Sequence, residues 1–204
     1  MKPYIITIAR QYGSGGKTVG KMLADRLGIP FYNREIITMA SEDSGVNAML
    51  FSDERLKSDF IARLRARYRG DMPVPNDSSK SYLRDEALFS YHVKIIERLA
   101  DQGPCVLIGR CADYILQDRA KCLKVFIHAD MAFRAKRIVE VYGEREQSPE
   151  QRLRDKDKRR AAYHRFYTNM KWGYAQNYHI TLDSGELGID KCADIIADLY
   201  KSKA

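Results

Sequence analysis

Short, unbroken apolar runs alternate along this chain with longer stretches in which apolar residues return every three or four positions, a pattern that predicts strands and helices in turn. Ile5-Ile6-Thr7-Ile8 opens the series, and Val19, Met22, Leu23 and Leu27 follow at helical spacing until Gly28 and Pro30 supply a stop. Pro30-Phe31-Tyr32 reads as a short second strand, with Asn33 as the expected cap of a helix carrying Ile36, Ile37 and Ala40. Leu88, Val93, Ile96, Leu99 and Ala100 mark an amphipathic helix ending at Gln102-Gly103-Pro104. Cys105-Val106-Leu107-Ile108 then has the near-continuous apolar character of a strand covered on both faces. Cys122 to Ile127 is the next strand, and Asp130 caps a helix bearing Met131, Ile138, Val139 and Tyr142. Ser148-Pro149-Glu150-Gln151 forms a capping box with proline at the first helical position, opening a highly charged helix to about Asn169. Tyr178 to Leu182 is the last strand, and Cys192, Ile195, Ile196 and Leu199 mark the closing helix. Five strands alternating with helices predict a three-layer α/β domain with a parallel sheet, whose ligands bind beyond the carboxyl ends of the strands.

Residues 41 to 92 change character: Asp53 to Tyr68 is charged and helical in pattern, and Gly70 to Ser81, with Pro73, Pro75, Asn76 and Asp77, reads as a loop. At 204 residues the chain can bury one substantial core, so this stretch is an insertion in a single domain and not a second domain. No apolar run approaches the roughly 20 residues of a membrane span. Met1-Lys2-Pro3-Tyr4 leads straight into a strand without signal-peptide architecture, so a cytoplasmic protein with no membrane partner is expected. Cys105, Cys111, Cys122 and Cys192 contain no C-x-x-C pair and read as buried reduced thiols, and the four histidines show no ligand spacing. A net charge of +8 points to an anionic partner, which could be nucleic acid or a phosphorylated small molecule.

The chemistry concentrates where the first strand breaks into Arg10-Gln11-Tyr12-Gly13-Ser14-Gly15-Gly16-Lys17-Thr18. Glycines let backbone N–H groups turn inward around an anion, a lysine supplies a mobile cation, and a threonine hydroxyl stands where Mg²⁺ wants a ligand. The positive end of the following helix reinforces such a site. The expected phosphate cradle is therefore Gly13, Ser14, Gly15 and Gly16, with Lys17 on the donor phosphates and Thr18 on the metal. The pattern departs from G-x-x-x-x-G-K-[ST] at its first glycine, where this chain has Gln11.

Four ordered blocks carry a resemblance that runs nearly end to end: Ile6 to Gly16, Leu27 to Tyr32, Val106 to Leu116, and Tyr167-Thr168 with Trp172-Gly173 and Asn177-Tyr178. They resemble the cytidylate kinase-like proteins of the P-loop nucleoside monophosphate kinase group. The resemblance implies a kinase core over residues 1–40, 93–140 and 176–204, an acceptor-binding insertion at 41–92, and a helical lid at 141–175. It further implies ATP and Mg²⁺ as cofactors and a small phosphate acceptor, with CMP or dCMP leading. The lid segment Arg152 to Arg160 is similar to the arginine- and aspartate-rich stretch with which cytidylate kinases hold transferring phosphates, Arg154 and Asp155 matching best and Asp157, Arg159 and Arg160 only approximately. Counting from Thr18-Val19-Gly20-Lys21, Gly16 takes the place of the usual lysine, leaving Lys17 displaced by one and Arg10 as a substitute cation. An aspartate precedes the corresponding Gly-Arg in those kinases, where this chain has Ile108 before Gly109-Arg110.

The expected catalytic set is thus Lys17, Arg110, Arg154, Asp155 and Arg159, with Arg110 lying over the strand ends. Such a set suits phosphoryl transfer, in which positioning and charge neutralisation supply most of the catalysis. Tyr163, Phe166, Tyr167 and Trp172 interleave with basic residues, as a nucleic-acid stacking surface would, or else pack the lid helix onto the core; the second reading is preferred. Asp183-Ser184-Gly185 either approaches the donor base or caps the last helix. Two rivals stand beside the nucleoside monophosphate kinase: a P-loop kinase with a non-nucleotide acceptor, and a nucleotide-binding regulatory or nucleic-acid-binding protein without phosphotransfer.

Overall fold

A computed structural model describes residues 4–45, 47–48, 78–119 and 121–203 of the chain. Its elements, in order, are β1 (Ile5–Arg10), α1 (Gly16–Leu27), β2 (Phe31–Tyr32), α2 (Glu35–Ser44), α3 (Ser78–Gln102), β3 (Val106–Ile108) and α4 (Ala112–Ile115). They continue with β4 (Cys122–His128), α5 (Met131–Tyr142), α6 (Pro149–Thr168), a 3₁₀ turn at Ala175–Asn177, β5 (Ile180–Asp183), α7 (Ser184–Leu187) and α8 (Ile189–Lys201). The strands form one parallel sheet in the order β2-β3-β1-β4-β5. This is the α/β architecture expected from the alternating runs.

Apolar residues cover both faces of the central strands, which is why β1, β3 and β4 show so little alternation in sequence. Ile6, Ile8, Val106, Ile108, Val125 and Ile127 point to the side where Val19 and Leu23 of α1 and Ala193 and Ile196 of α8 close the core. Ile5, Leu107 and Cys122 point to the other side, against Ile36 and Ala40 of α2 and Ile95, Ile96 and Leu99 of α3. Each fully buried isoleucine contributes about 1.5–3 kcal/mol, so two such layers hold the sheet rigidly. Helix α1 lies close against β3 because Gly20 carries no side chain: a Cβ there would stand 2.6 Å from Ile108 Cδ1. All four cysteines are buried free thiols, as expected.

Several boundaries differ from the sequence reading. The loop expected to reach Ser81 gives way to α3 at Ser78, so the helix expected from Leu88 starts earlier and ends, as expected, at Gln102. The helix expected over Asp53 to Tyr68, and the expected loop from Gly70 to Asp77, lie outside the described residues. Asn33 does not cap α2; Arg34 occupies the cap without a side-chain bond, and Glu35 instead reaches back to accept the Asn33 N–H at 2.7 Å. Asp130 and Ser148 do cap their helices, accepting from Phe133 N–H at 2.9 Å and Gln151 N–H at 3.3 Å. Asp183 caps α7, a short helix ahead of the closing one, through the N–H groups of Gly185 and Glu186.

Strand β1 lies in the middle of the sheet, flanked by β3 and β4, neither of which follows it directly in the chain. In open α/β sheets the crevice at such a switch of strand order receives ligands. The glycine-rich loop leaves β1 at that point. Among the described residues no helix is long and apolar enough to cross a membrane.

Candidate active site

The loop from Gln11 to Gly15 is held from below and from the sides. Gln11 N–H donates to the Ile127 carbonyl at 2.9 Å, extending the β1–β4 ladder one residue past the strand. Its side-chain oxygen accepts the Ala129 N–H at 3.2 Å, so the residue standing where a glycine was expected pins the loop to the end of β4. Ser14 Oγ donates to the Gln11 carbonyl at 2.9 Å, and Ser184 Oγ donates to the Ser14 carbonyl at 2.6 Å. Both serines are fully buried, so the loop is braced by side chains that water cannot reach. Gly15 closes the loop in the left-handed region at φ 76 and serves as the cap residue of α1. An L side chain there would be strained, and its Cβ would stand 2.7 Å from Ile189 Cδ1.

Helix α1 begins at Gly16, and its first side chains, Lys17 and Thr18, are exposed. Thr18 Oγ1 accepts a hydrogen bond from Arg137 Nη2 of α5 at 3.0 Å. A nucleoside triphosphate fits this arrangement, since the loop offers N–H groups and a helix amino terminus walled by cationic side chains. Thr18 retains a second lone pair for a metal ion, and Mg²⁺ commonly keeps several of its waters. Ile108, buried in β3, offers it no ligand.

Helix α6, the expected lid, meets the loop through residues whose polarity hides their inward orientation. Leu153, Asp157, Arg160 and His164 recur at helical spacing on one face. Leu153 is fully buried and packs with Ile138 and Tyr12. Asp157 Oδ1 accepts the Tyr12 N–H at 2.7 Å, while Oδ2 pairs with Arg134 Nη1 at 2.5 Å. Burial pushes the Asp157 carboxyl above its ordinary range, opposed by the Tyr12 N–H and by Arg134. Arg134, itself buried, also donates to the Tyr12 carbonyl at 3.2 Å. Arg160 donates to the Arg10 carbonyl at 3.0 Å and lies over the Tyr12 ring, 5.5 Å from its centre.

This register redistributes the expected lid residues. Arg154 follows the inward-facing Leu153 by one position, about 100° around the helix, and is exposed. Asp155 is a further step around and is held by Gln147 at 2.7 Å and Gln151 at 2.8 Å. Arg159 is half-buried, and Arg152 turns into the core and donates to the Gly143 carbonyl at 3.2 Å. Asp157 and Arg160, two of the three approximate matches, are the ones that reach the loop. Arg134 and Arg137 carried no sequence signal beyond their spacing after the Asp130 cap, which puts them on the side of α5 nearest the loop.

The turn after β3 is strained. Gly109, Arg110 and Cys111 lie consecutively at φ 71, 58 and 57, and left-handed geometry at two non-glycine residues persists only where the surroundings enforce it. The Tyr114 and Ile115 N–H groups both donate to the Cys111 carbonyl at 2.9 Å. Asp113, two residues on, is buried and pairs at 2.9 Å with Nε2 of the equally buried His164. Arg110 is thereby held, half-buried, at the carboxyl end of β3. The aromatics of α6 and the segment after it pack inward: Tyr163 bonds His92 Nδ1 at 3.0 Å, Tyr167 stacks on Phe89, and Trp172 meets Phe126 edge-on. Beside Gln11 opens a cleft of about 460 Å³ lined by Phe126, His128, Asp130, Thr181 and Asp183.

Among solved structures, the chain is similar to an uncharacterized protein from Eubacterium ventriosum at 27% identity and TM-score 0.71, covering 98% of this chain and 99% of that one. It shares its fold with a shikimate kinase from Acinetobacter baumannii, at 15% identity and TM-score 0.54 over 98% and 94% of the two chains. A gluconokinase from Sinorhizobium meliloti aligns at 16% identity and TM-score 0.52, over 98% and 95%. No curated protein matches the chain. The fold is that of the P-loop kinases, and the model of the cytidylate kinase-like family matches residues 5–186; the chain belongs to that family.

Proposed function

We propose that this chain is a kinase that transfers the terminal phosphoryl group of ATP to a small acceptor, most simply a nucleoside monophosphate such as CMP or dCMP. The observation that carries the reading is the braced glycine loop, Gln11 to Gly15, opening helix α1 at the carboxyl end of the central strand. ATP supplies the activated phosphoryl group, and Mg²⁺ at Thr18 would neutralise its charge. The N–H groups of Gly13, Gly15 and Gly16 would cradle the donor phosphates. Arg110, at the carboxyl end of β3, and Arg160, at the start of the loop, would supply fixed positive charge to the transferring group, which lowers the barrier. The acceptor oxygen attacks the terminal phosphorus as the bond to the donor's bridging oxygen breaks.

Family membership favours cytidylate as the acceptor. The test is a panel of CMP, dCMP, AMP, GMP, shikimate and gluconate with radiolabelled ATP. CMP or dCMP is expected to give ADP fastest; turnover confined to a non-nucleotide acceptor moves the assignment to another small-molecule kinase. Ile108 in place of an acidic residue favours a second reading, nucleotide binding without transfer. It is distinguished by ATP binding with no ADP released under any acceptor.

A further inference from the structure

We propose that Arg10, and not Lys17, is the cation that meets the terminal phosphates of the donor, an assignment that rests on reading the Gln11–Thr18 loop as a phosphate-donor site. Arg10 is the last residue of β1, and its side chain leaves the strand directly beside the start of α1. A Cβ on Gly16 would stand 2.6 Å from Arg10 Cβ and 3.0 Å from Arg10 Cγ. At the far end of the side chain, a Cβ on Gly109 would collide with Arg10 Nη1. The arginine therefore runs from the first turn of α1 to the strained turn after β3, across the carboxyl ends of two adjacent parallel strands. Two glycines, one at each end, keep that path clear. Alanine at either position would strike the arginine.

Lys17 stands differently. Gly16 takes the first helical position, where the loop lysine of a regular pattern would follow the last glycine. Lys17 is rotated about 100° further around α1 and is exposed. The space that a side chain at Gly16 would enter is filled by Cβ and Cγ of Arg10 instead. Its guanidinium stays charged at every working pH and presents a planar fork that matches two phosphate oxygens, whereas an ammonium is a point charge on a flexible stem. Arg160 holds the Arg10 carbonyl at 3.0 Å, so helix α6 and the phosphate cation are fixed through one residue.

Calorimetric titration with ATP and Mg²⁺ tests this on the wild type, Arg10→Met and Lys17→Ala, with melting temperature in the absence of nucleotide read alongside. Arg10→Met is expected to weaken ATP binding by about tenfold or more, and Lys17→Ala by less than about threefold. The reverse order, with Lys17→Ala the more damaging change, overturns the assignment of Arg10 while leaving the donor-loop reading intact. A folded wild type that binds neither ATP nor GTP overturns the donor-loop reading itself. A second measurement needs no variant: phenylglyoxal modification of the wild type, followed by peptide mass. ATP is expected to slow modification of Arg10 several-fold, and equal rates with and without ATP would overturn the assignment.

Discussion

Asp157 of helix α6 accepts the main-chain N–H of Tyr12 at 2.7 Å, across 145 positions of sequence. The other oxygen of the same carboxylate binds Arg134, which in turn donates to the Tyr12 carbonyl. Both main-chain polar groups of Tyr12 are thus taken up by one ion pair, which locks the start of the glycine loop to α5 and α6. Removing one partner of a largely buried pair strands the other, and such changes cost about 3–5 kcal/mol. Asp157→Ala is therefore expected to destabilise the protein by about that amount in urea unfolding. Asp157→Asn keeps an acceptor for Tyr12 and is expected to lose less.

The same carboxyl sets a pH dependence. Its folded-state value is raised by burial, so the folded protein holds the proton more tightly than the unfolded chain does. Stability from this group is full below the ordinary carboxylate range, about pH 4, and declines as pH rises through the raised value. Comparing unfolding free energies of wild type and Asp157→Asn across that window should show a shallower fall for the variant. A steeper fall would reverse the sign of the argument.

His164 and Asp113 form a second buried link, between the carboxyl end of α6 and the turn that carries Arg110. His164→Ala leaves a buried polar side chain without its hydrogen-bond partner, at about 1–3 kcal/mol. Because Asp113 lies just past the left-handed stretch, relaxation of that turn is also expected. Lowered turnover beyond what the unfolded fraction explains would report displacement of Arg110. Unchanged turnover and stability would contradict the link.

Much of this was legible in sequence because the signals were local. Ile5 to Ile8, Val106 to Ile108 and Cys122 to Ile127 lie in strands covered on both faces, so their apolar runs stand out without any partner in view. Capping at Asp130 and Ser148 needs only the next three residues. The register of α6 was not legible, because its inward face is built from Asp157, Arg160 and His164, which are held by partners more than about twenty positions away. Hydrophobic periodicity is silent on such a face. The placement of Arg10 was equally hidden, since it depends on Gly109, far along the chain, having no side chain. Motif spacing put Lys17 first and Arg10 only as its substitute.

The arginines of α6 provide a direct contrast. Arg160 reaches the loop and Arg154 is exposed, so Arg160→Ala is expected to lower kcat by at least about tenfold, while Arg154→Ala changes it by less than about threefold. Equal losses in both would place a different face of α6 over the substrate.

Thiol chemistry checks the core. Burial pushes Cys105 up to about 12 and Cys122 up to about 11, so at neutral pH neither offers appreciable thiolate. Iodoacetamide is expected to label these two positions only after unfolding. Rapid labelling of either in the native protein would contradict the two-layer burial of the sheet.

Titration of the folded protein with ATP and Mg²⁺ shows whether the braced loop at the end of β1 binds the phosphates of a nucleoside triphosphate. Saturable binding at one site per chain is expected, with AMP bound more weakly than ATP and the melting temperature raised as ATP is added. Failure of both ATP and GTP to bind or to raise the melting temperature would contradict it.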